Sequence, residues 1–496
     1  MNYGILTATQ QAAFRTYQGD RIRKPTVSVL LSGVDDVKDY IQNITFSRAI
    51  ETGRGILTVN VGNGVILAMN DDETFYSGGE SQIPVGTQVK IWAGFSGLNV
   101  PVFAGVVTGV KPITDRNLVE IGICDNMWYF QNNRVQGFQE NTTVRAIMEG
   151  WVSDFYLNSE ITTHSDMDIT LTAPAFDPML MITALENLCR GIFSVPFFDA
   201  DGSLQVYERE YCNDVDFTFN NQNVKNISNL VSQDIVNACV IEYKEFFQTK
   251  YKSQDSIDLY RERVRDYRLT HLNVEEVAYQ YYGTQDEGLD NALEGLRFTS
   301  AATSAFIDTV HVMMMGDGVT GQYTLKLYSD SGGLPDTLMA TSEIKYAADL
   351  YESFVWEHIN FIPPVSISPS TDYWLILDTS GLTGTVYVAC NYGAATGKHA
   401  YYSGGWVAED NKQMVYKIRS SPQAIRASTD LVKFFQYPRD RIRVYAMGAP
   451  HLELMDAPFV DVTTPFEQSG RFKIIERWLR YSPSLGLETV DTLERV

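Results

Sequence analysis

The sequence has little of what disulfide frames, metal sites and membrane anchors are built from. Its 496 residues include five cysteines, Cys124, Cys189, Cys212, Cys239 and Cys390, odd in number, scattered and free of any C-x-x-C pair. That spacing argues against a disulfide framework or a zinc site and leaves buried thiols as the expectation. The six histidines, His164, His271, His311, His358, His399 and His451, stand far apart and none falls in H-E-x-x-H or H-x-H spacing, so no hydrolytic metal site is visible. G-x-S-x-G is absent too, and with it the nucleophile elbow of serine hydrolases. No apolar run is long enough to cross a bilayer, and Met1 to Gln11 lacks the basic and apolar stretches of a secretory signal. The expectation is a soluble product made in a cytoplasm, without a membrane-spanning segment. Asn141-Thr142-Thr143 and Asn226-Ile227-Ser228 match a glycosylation pattern but lack that secretory context. Positive charge is also short: 39 Lys and Arg against 61 Asp and Glu give a net charge of -22, which repels phosphate at long range and opposes general nucleic-acid binding.

What is abundant points to strands. Aromatic residues reach 12%, with 28 Tyr and 25 Phe, while charged residues make up only 20%; this balance favours well-packed β domains. The length implies two to four of them. Val27 and Val29, then Leu57, Val59 and Val61, then Val89 and Ile91, then Val119, Ile121 and Ile123 alternate as half-buried strands do. Gly62-Asn63-Gly64 and Gly78-Gly79 punctuate them, and a closed barrel or sandwich over roughly 20 to 130 is expected. The period then becomes helical at Val144, Ile147, Met148, Trp151 and Val152, behind a cap at Asn141 or Thr142. A second helix is expected to start at Asp177-Pro178, carry Met181, Ala184, Leu185 and Leu188, and stop at Gly191.

Phe197 to Leu204 looks like a hairpin with an Asp/Gly turn. Asp199-Ala200-Asp201-Gly202-Ser203 also opens like a calcium loop, with Glu210 at the twelfth position, but the sixth position, where such a loop needs glycine, is Leu204. The turn is the better reading. Strands resume from about Asn226, where Ala238, Val240 and Glu242 alternate against Cys239, Ile241 and Tyr243; the charged stretch Lys252 to Asp266 reads as peripheral and solvated. Residues 285 to 419 form a separate β pattern: Tyr323, Leu325 and Leu327, then Val355, Ile359 and Phe361, then Tyr373, Leu375 and Leu377. From about Ser420 charged-and-apolar strands return, as expected of a domain interrupted by an insertion. With 61 carboxylates, a glycosidase pair leaves no signature, and none is singled out. Tyr401, Tyr402 and Trp406, with Gly404 and Gly405 beside them, are candidate glycan-contacting residues, whereas Trp374 lies mid-strand and reads as core.

Three stretches resemble the hub family of bacteriophage tails. Val89-Lys90-Ile91-Trp92-Ala93-Gly94-Phe95 followed by Pro101-Val102-Phe103-Ala104-Gly105-Val106-Val107-Thr108-Gly109 is similar to the strand, turn and F-x-G-x-V strand of the first tube-like barrel. Thr143 to Trp151, Ile182 to Gly191 and Phe197 to Tyr207 resemble the linker region, and Phe472 to Val496 resembles the last strands of the second barrel. The resemblance covers about three quarters of the chain and rests on strand and turn patterns. It implies a mainly β fold with a small α+β linker region: a first barrel with an N-terminal arm over 1–135, a linker over 136–225, and a second, discontinuous barrel over 226–284 and 420–496. Residues 285–419 depart from that pattern. Their Leu325 to Leu338, Tyr373 to Leu377 and Tyr401 to Trp406 resemble an inserted jelly-roll-like β-sandwich akin to carbohydrate-binding modules.

The function so implied is that of a structural, non-enzymatic hub in the virion's tail tip or baseplate, without cofactor or metal. It would be a homotrimer adapting a sixfold tail tube or distal tail protein to a threefold spike or fibre, with a tape measure protein nearby. DNA would pass through without specific binding. The alternative is a tail protein that binds host-surface glycan through the inserted sandwich.

Overall fold

A computed structural model of the chain describes residues 25–32, 37–50, 59–95, 98–113, 116–138, 141–157, 165–171, 175–231, 235–243, 247–273, 275–280, 285–289, 292–392, 399–409, 412–463, 467–484 and 486–496. The expected N-terminal arm before residue 25, His164 and the junction at Gly283 lie outside them. The fold is mainly β, in two compact units: Met1–Asp234 with Pro438–Val496, and Ile235–Tyr437.

In the first unit one sheet runs through both halves. Its path begins at the strands Pro25–Leu31, Gln88–Phe95, Leu98–Ile113, Leu118–Asp125, Asn63–Met69 and Ile41–Ala49. It continues through Gln468–Ser482, Gly486–Arg495, Asp440–Met447 and Val224–Val231. The join is antiparallel, with Ile44 opposite Tyr481 and Ala49 opposite Glu476. The first six strands therefore do not close by pairing on themselves among the described residues; their last strand hands the sheet on to the C-terminal half. Alternation places Ile44, Phe46, Ile66, Val89, Ile91, Val119 and Ile121 inside. In the F-x-G-x-V stretch, Gly105 is required by close approach: a Cβ there would stand 2.0 Å from the Cys124 carbonyl oxygen of the paired strand.

The linker packs its own core. Thr143 caps the helix Val144–Asp154 by accepting from the Ala146 amide at 3.1 Å, one residue beyond the expected cap. Val144, Ile147, Met148, Trp151 and Val152 form its buried stripe. The second helix differs from its expected start. Asp177-Pro178 belongs to the strand Ala175–Leu180, paired with Arg134–Phe138, and the helix is Met181–Gly191. Strand pairing overrides the local Asp-Pro signal, and the Asn133 carbonyl accepts from the first helical amide, that of Met181, at 3.0 Å.

The second unit is wound around two long strands, Phe306–Ser331 and Asp372–Tyr392. The first pairs early with Val355–Ser366 and Tyr416–Ser420, and late with Leu334–Thr341. Strands that change partners along their length bend a sheet around a core. Leu296, Phe298, Tyr323, Leu325, Leu327, Ile359, Phe361, Leu375 and Leu377 fill it. Glu275–Gln280 joins this sheet through Tyr416–Ser420. The strands of 226–284 with 420–496 are thus distributed over both units.

One element was missed by the strand reading after Ser420: Pro422–Phe435 is an α-helix, capped by Ser421 with proline in its first turn. Ala424, Ala427, Leu431, Val432 and Phe435 are its buried face. The Ser-Pro start and the i, i+3, i+7 spacing carried the signal. The stretch Lys252 to Asp266 contains the short helix Gln254–Tyr260 and the start of the exposed edge strand Val264–Arg268.

Candidate functional site

In the second unit, register decides which side chains share the solvent-side face of the sheet. Tyr328 and Arg297 both stand opposite Trp374, and Gly295 stands opposite both Ile376 and Ala400; directly paired residues project to the same face. Trp374, Ile376 and Ala400 are buried there as a small satellite cluster, with Leu293, Tyr328 and Trp406 packed on top. The Trp374 indole donates to Asp330 Oδ1 at 2.8 Å, so its one polar atom is satisfied although the ring is 1% exposed. Arg297 spans Asp330 and Asp372 at 2.9 and 3.0 Å.

Over this floor the hairpin His399–Tyr402/Trp406–Glu409 carries aromatics. Trp406 meets Tyr402 edge-on at 5.3 Å and Tyr328 edge-on at 5.7 Å. Tyr402 is 45% exposed, and Trp406 is half-buried. The third expected residue does not join them. Tyr401 stands opposite Glu294, so it projects to the other face, with His399. Tyr328 was missed because it lies over 70 residues away in sequence and meets Trp406 only through strand pairing.

Beneath Tyr401 lies a buried charged group. Glu294 Oε1 is 3.2 Å from His399 Nε2 and 3.3 Å from Lys412 Nζ. Burial alone would raise the Glu294 carboxyl, but the His399 hydrogen bond and the Lys412 ammonium hold it below the usual carboxylate range.

The first unit is fastened by buried ion pairs rather than by an exposed pocket of reactive groups. Arg48, on Ile41–Ala49, pairs with Glu453 at 2.9 Å and donates to the Phe198 carbonyl at 3.2 Å. Glu453 also accepts from the Ala200 amide at 3.0 Å. Arg209 and Arg441 converge on Glu494 at 3.1 and 2.8 Å, and these cations hold its carboxyl down to about 2. Arg477 pairs with Asp491 at 3.2 Å and donates to the carbonyls of Leu452 and Ala449. These pairs tie residues of the first half, the linker and the C-terminal strands to one another.

The calcium-like segment is the turn of the hairpin Ser194–Phe198/Leu204–Glu208. Asp199 Oδ1 accepts from the amides of Asp201 and Ser203, and Oδ2 accepts from Gln205. Gly202 takes φ +88°, and Glu210 is exposed and apart from that carboxylate cradle. Four of the five cysteines are buried, and burial pushes the Cys239 thiol up to about 12. Among the described residues no group of three or more His, Cys, Asp or Glu is placed to hold a metal, and no helix is long and apolar enough to cross a membrane.

No protein-family model matches the sequence, and neither does any curated protein. Solved structures do show likeness. A short one is to the cysteine protease and lectin-like domains of Cwp84 from Clostridium difficile, with 14% identity over 30% of this chain and 36% of that one, at a TM-score of 0.24. A 43 kDa tail protein of prophage MuSo2 from Shewanella oneidensis matches at 10% identity over 95% of this chain and 97% of its own, at a TM-score of 0.46. At such identities and TM-scores these are likenesses that assign no activity. A tail protein from Neisseria meningitidis MC58 is similar over 95% of this chain and 96% of its own, with 8% identity and a TM-score of 0.49.

Proposed function

We propose that the chain is a structural subunit of a phage-type tail tip, acting through assembly rather than through a reaction, as a homotrimeric hub between tail tube and spike. The observation that carries this reading is the unbroken sheet of the first unit, in which a first set of six strands and a C-terminal set join edge to edge at Ile41–Ala49 and Gln468–Ser482. Two such sets per chain, in three chains, supply six positions around an axis, and closing the ring removes exposed strand edges. A distal tail protein, a spike or fibre and a tape measure protein are the partners this role requires. The channel of such a ring is lined by acidic or neutral side chains, in keeping with -22 per chain, and lets DNA slide because few cations hold phosphate. Mass measurement over a concentration series and on the assembled tip is expected to find three copies. One, two or six copies overturn the trimer, and a continuous ring of Lys and Arg facing the channel in a density map overturns the lumen.

A second reading is favoured by the Tyr402, Trp406 and Tyr328 cluster: the second unit binds a host-surface glycan, stacking a sugar ring on Tyr402 and Trp406 while Asp330, Asp372 and Arg297 offer polar groups. A glycan array probed with the full chain should give hits that Tyr402→Ala removes and Tyr401→Ala keeps. An array without hits overturns this reading and leaves the hub untouched.

A further inference from the structure

A cavity of about 460 Å³ opens on the sheet of the first unit where the two strand sets meet, lined by Thr45 from one and by residues of the other. Register puts Trp478, Val490 and Tyr445 directly opposite one another on three adjacent strands, so all three project to one face. Two strand spacings, about 9–10 Å, separate the Trp478 and Tyr445 backbones. The two rings therefore stand as walls and Val490 floors the gap. Trp478 is 45% and Tyr445 36% exposed. Charges rim the groove: Arg443 is 3.6 Å from Glu476, and Lys225 pairs with Glu488. Arg480 is exposed and stands opposite Glu488 in register, but forms no ion pair with it or with another carboxylate among the described residues. Trp, Tyr and Arg are the side chains that most often anchor protein interfaces, and here they lie together with one cation unspent.

The same unit carries a surface of complementary chemistry. Residues 70–87 contain Asp71, Asp72, Glu73 and Glu80 and no Lys, Arg or His. All four carboxylates are exposed, and none has a cationic partner among the described residues. The segment is held in shape by its own contacts. Phe75 is fully buried, and Asn70 Oδ1 accepts from the Phe75 and Tyr76 amides. Asp72 accepts from the Tyr40 and Thr74 hydroxyls at 2.6 Å each. A preorganised acidic knob loses little conformational freedom on docking.

We propose that the Trp478 and Tyr445 groove of one copy receives the acidic segment 70–87 of a second copy, with Arg480 and Arg443 facing its carboxylates. Because groove and knob are different surfaces, the contact is head-to-tail, and repetition about an axis closes a ring. The inference rests on the homotrimer reading and names the surfaces that would build it.

Charge exchange on the full chain tests it, with native mass spectrometry as the readout and thermal unfolding as the control for folding. Trp478→Ala and Arg480→Glu should each weaken the trimer by at least tenfold in dissociation constant while the unfolding temperature holds. D71K/D72K should do the same, and combining it with R480E should restore assembly. Should W478A fold poorly, R480E and its rescue carry the test. If the wild type is trimeric and R480E and D71K/D72K assemble as well as it does, this contact is overturned and the trimer stands. If the wild type stays monomeric at every concentration, both fall.

Discussion

The two units solve the same problem, holding many strands around a centre, by different means. The second relies mainly on one large apolar core built from Leu325, Leu327, Ile359, Phe361, Leu375 and their neighbours, with the buried charged group of Glu294, His399 and Lys412 beside it. The first buries several ion pairs between distant segments, Arg209 with Glu494, Arg477 with Asp491 and Arg48 with Glu453. Apolar contact is non-directional and accepts many partners of similar volume, whereas a buried ion pair costs desolvation and repays it only in one geometry. The difference follows from chain order. The first unit is assembled from segments up to several hundred residues apart, and directional pairs can specify which strand meets which.

The comparison breaks most sharply at the ion pairs. Arg209→Ala removes one of the two arginines that pair with buried Glu494, leaving Arg441 and the nearby Lys473 ammonium, and the first unit should lose about 3 kcal/mol. Urea unfolding followed by hydrogen exchange should place that loss at the strands carrying Arg441 and Glu494, and leave protection around Leu327 and Leu375 unchanged. An equal loss in both units would mean that they do not unfold separately. Phe361→Ala is the reciprocal change. It opens a cavity in the apolar core and should cost about 3–5 kcal/mol in the second unit alone.

Acidity sharpens the contrast with a smaller effect. Burial pushes Asp125 and Asp456 of the first unit up to about 7. A carboxyl whose folded value is raised contributes stability that is full below its unfolded value near 4 and lost as pH rises through about 7. Glu494, held down to about 2, contributes stability above its unfolded value near 4.3 and so loses none between pH 7 and 5. In the second unit, burial lowers His271 to about 4 and His311 to about 2. Their contribution is present above the unfolded value near 6.5 and fades as pH falls below it, while Asp308, raised to about 8, works the other way. His451, lowered to about 3, takes a similar loss in the first unit. Asp491, raised to about 6 by burial, and Asp199, also raised, act like Asp125 and Asp456, so between pH 7 and 5 the balance is four raised carboxyls against one histidine in the first unit and one against two in the second. Acidification over that range should therefore raise the first unit's unfolding midpoint relative to the second's, and calorimetry in which the gap narrows against the first unit would contradict this. The smallest effect is local. Thr143→Ala removes the cap of Val144–Asp154 and should cost about 1 kcal/mol, seen as faster exchange in the first turn of that helix.

Much of the fold was legible from period alone, because alternation at Leu325, Leu327, Leu375 and Leu377 and the 3.6 spacing from Val144 to Val152 are local consequences of burying one face. The helix Pro422–Phe435 was legible too, in Ser421-Pro422 and the spacing behind it, but the charged-and-apolar text around it read as strand. Asp177-Pro178 misled because its strand pairs with Arg134–Phe138, a partner that no local window contains. The candidate face was half legible: two aromatics close in sequence, Tyr402 and Trp406, could be named, whereas Tyr328 and the opposite facing of Tyr401 could not.

By itself the sequence determined the β class, the acidic surface, the absence of thiol and histidine motifs and the faces of individual strands, since each depends on composition or on spacing within one segment. Only the tertiary structure decided that Ile41–Ala49 hands its sheet to Gln468–Ser482, that Arg209 finds Glu494 across 285 residues, and that Trp478 and Tyr445 flank one groove. Those are matters of register between distant strands, and a shift of one residue in register turns every side chain to the opposite face.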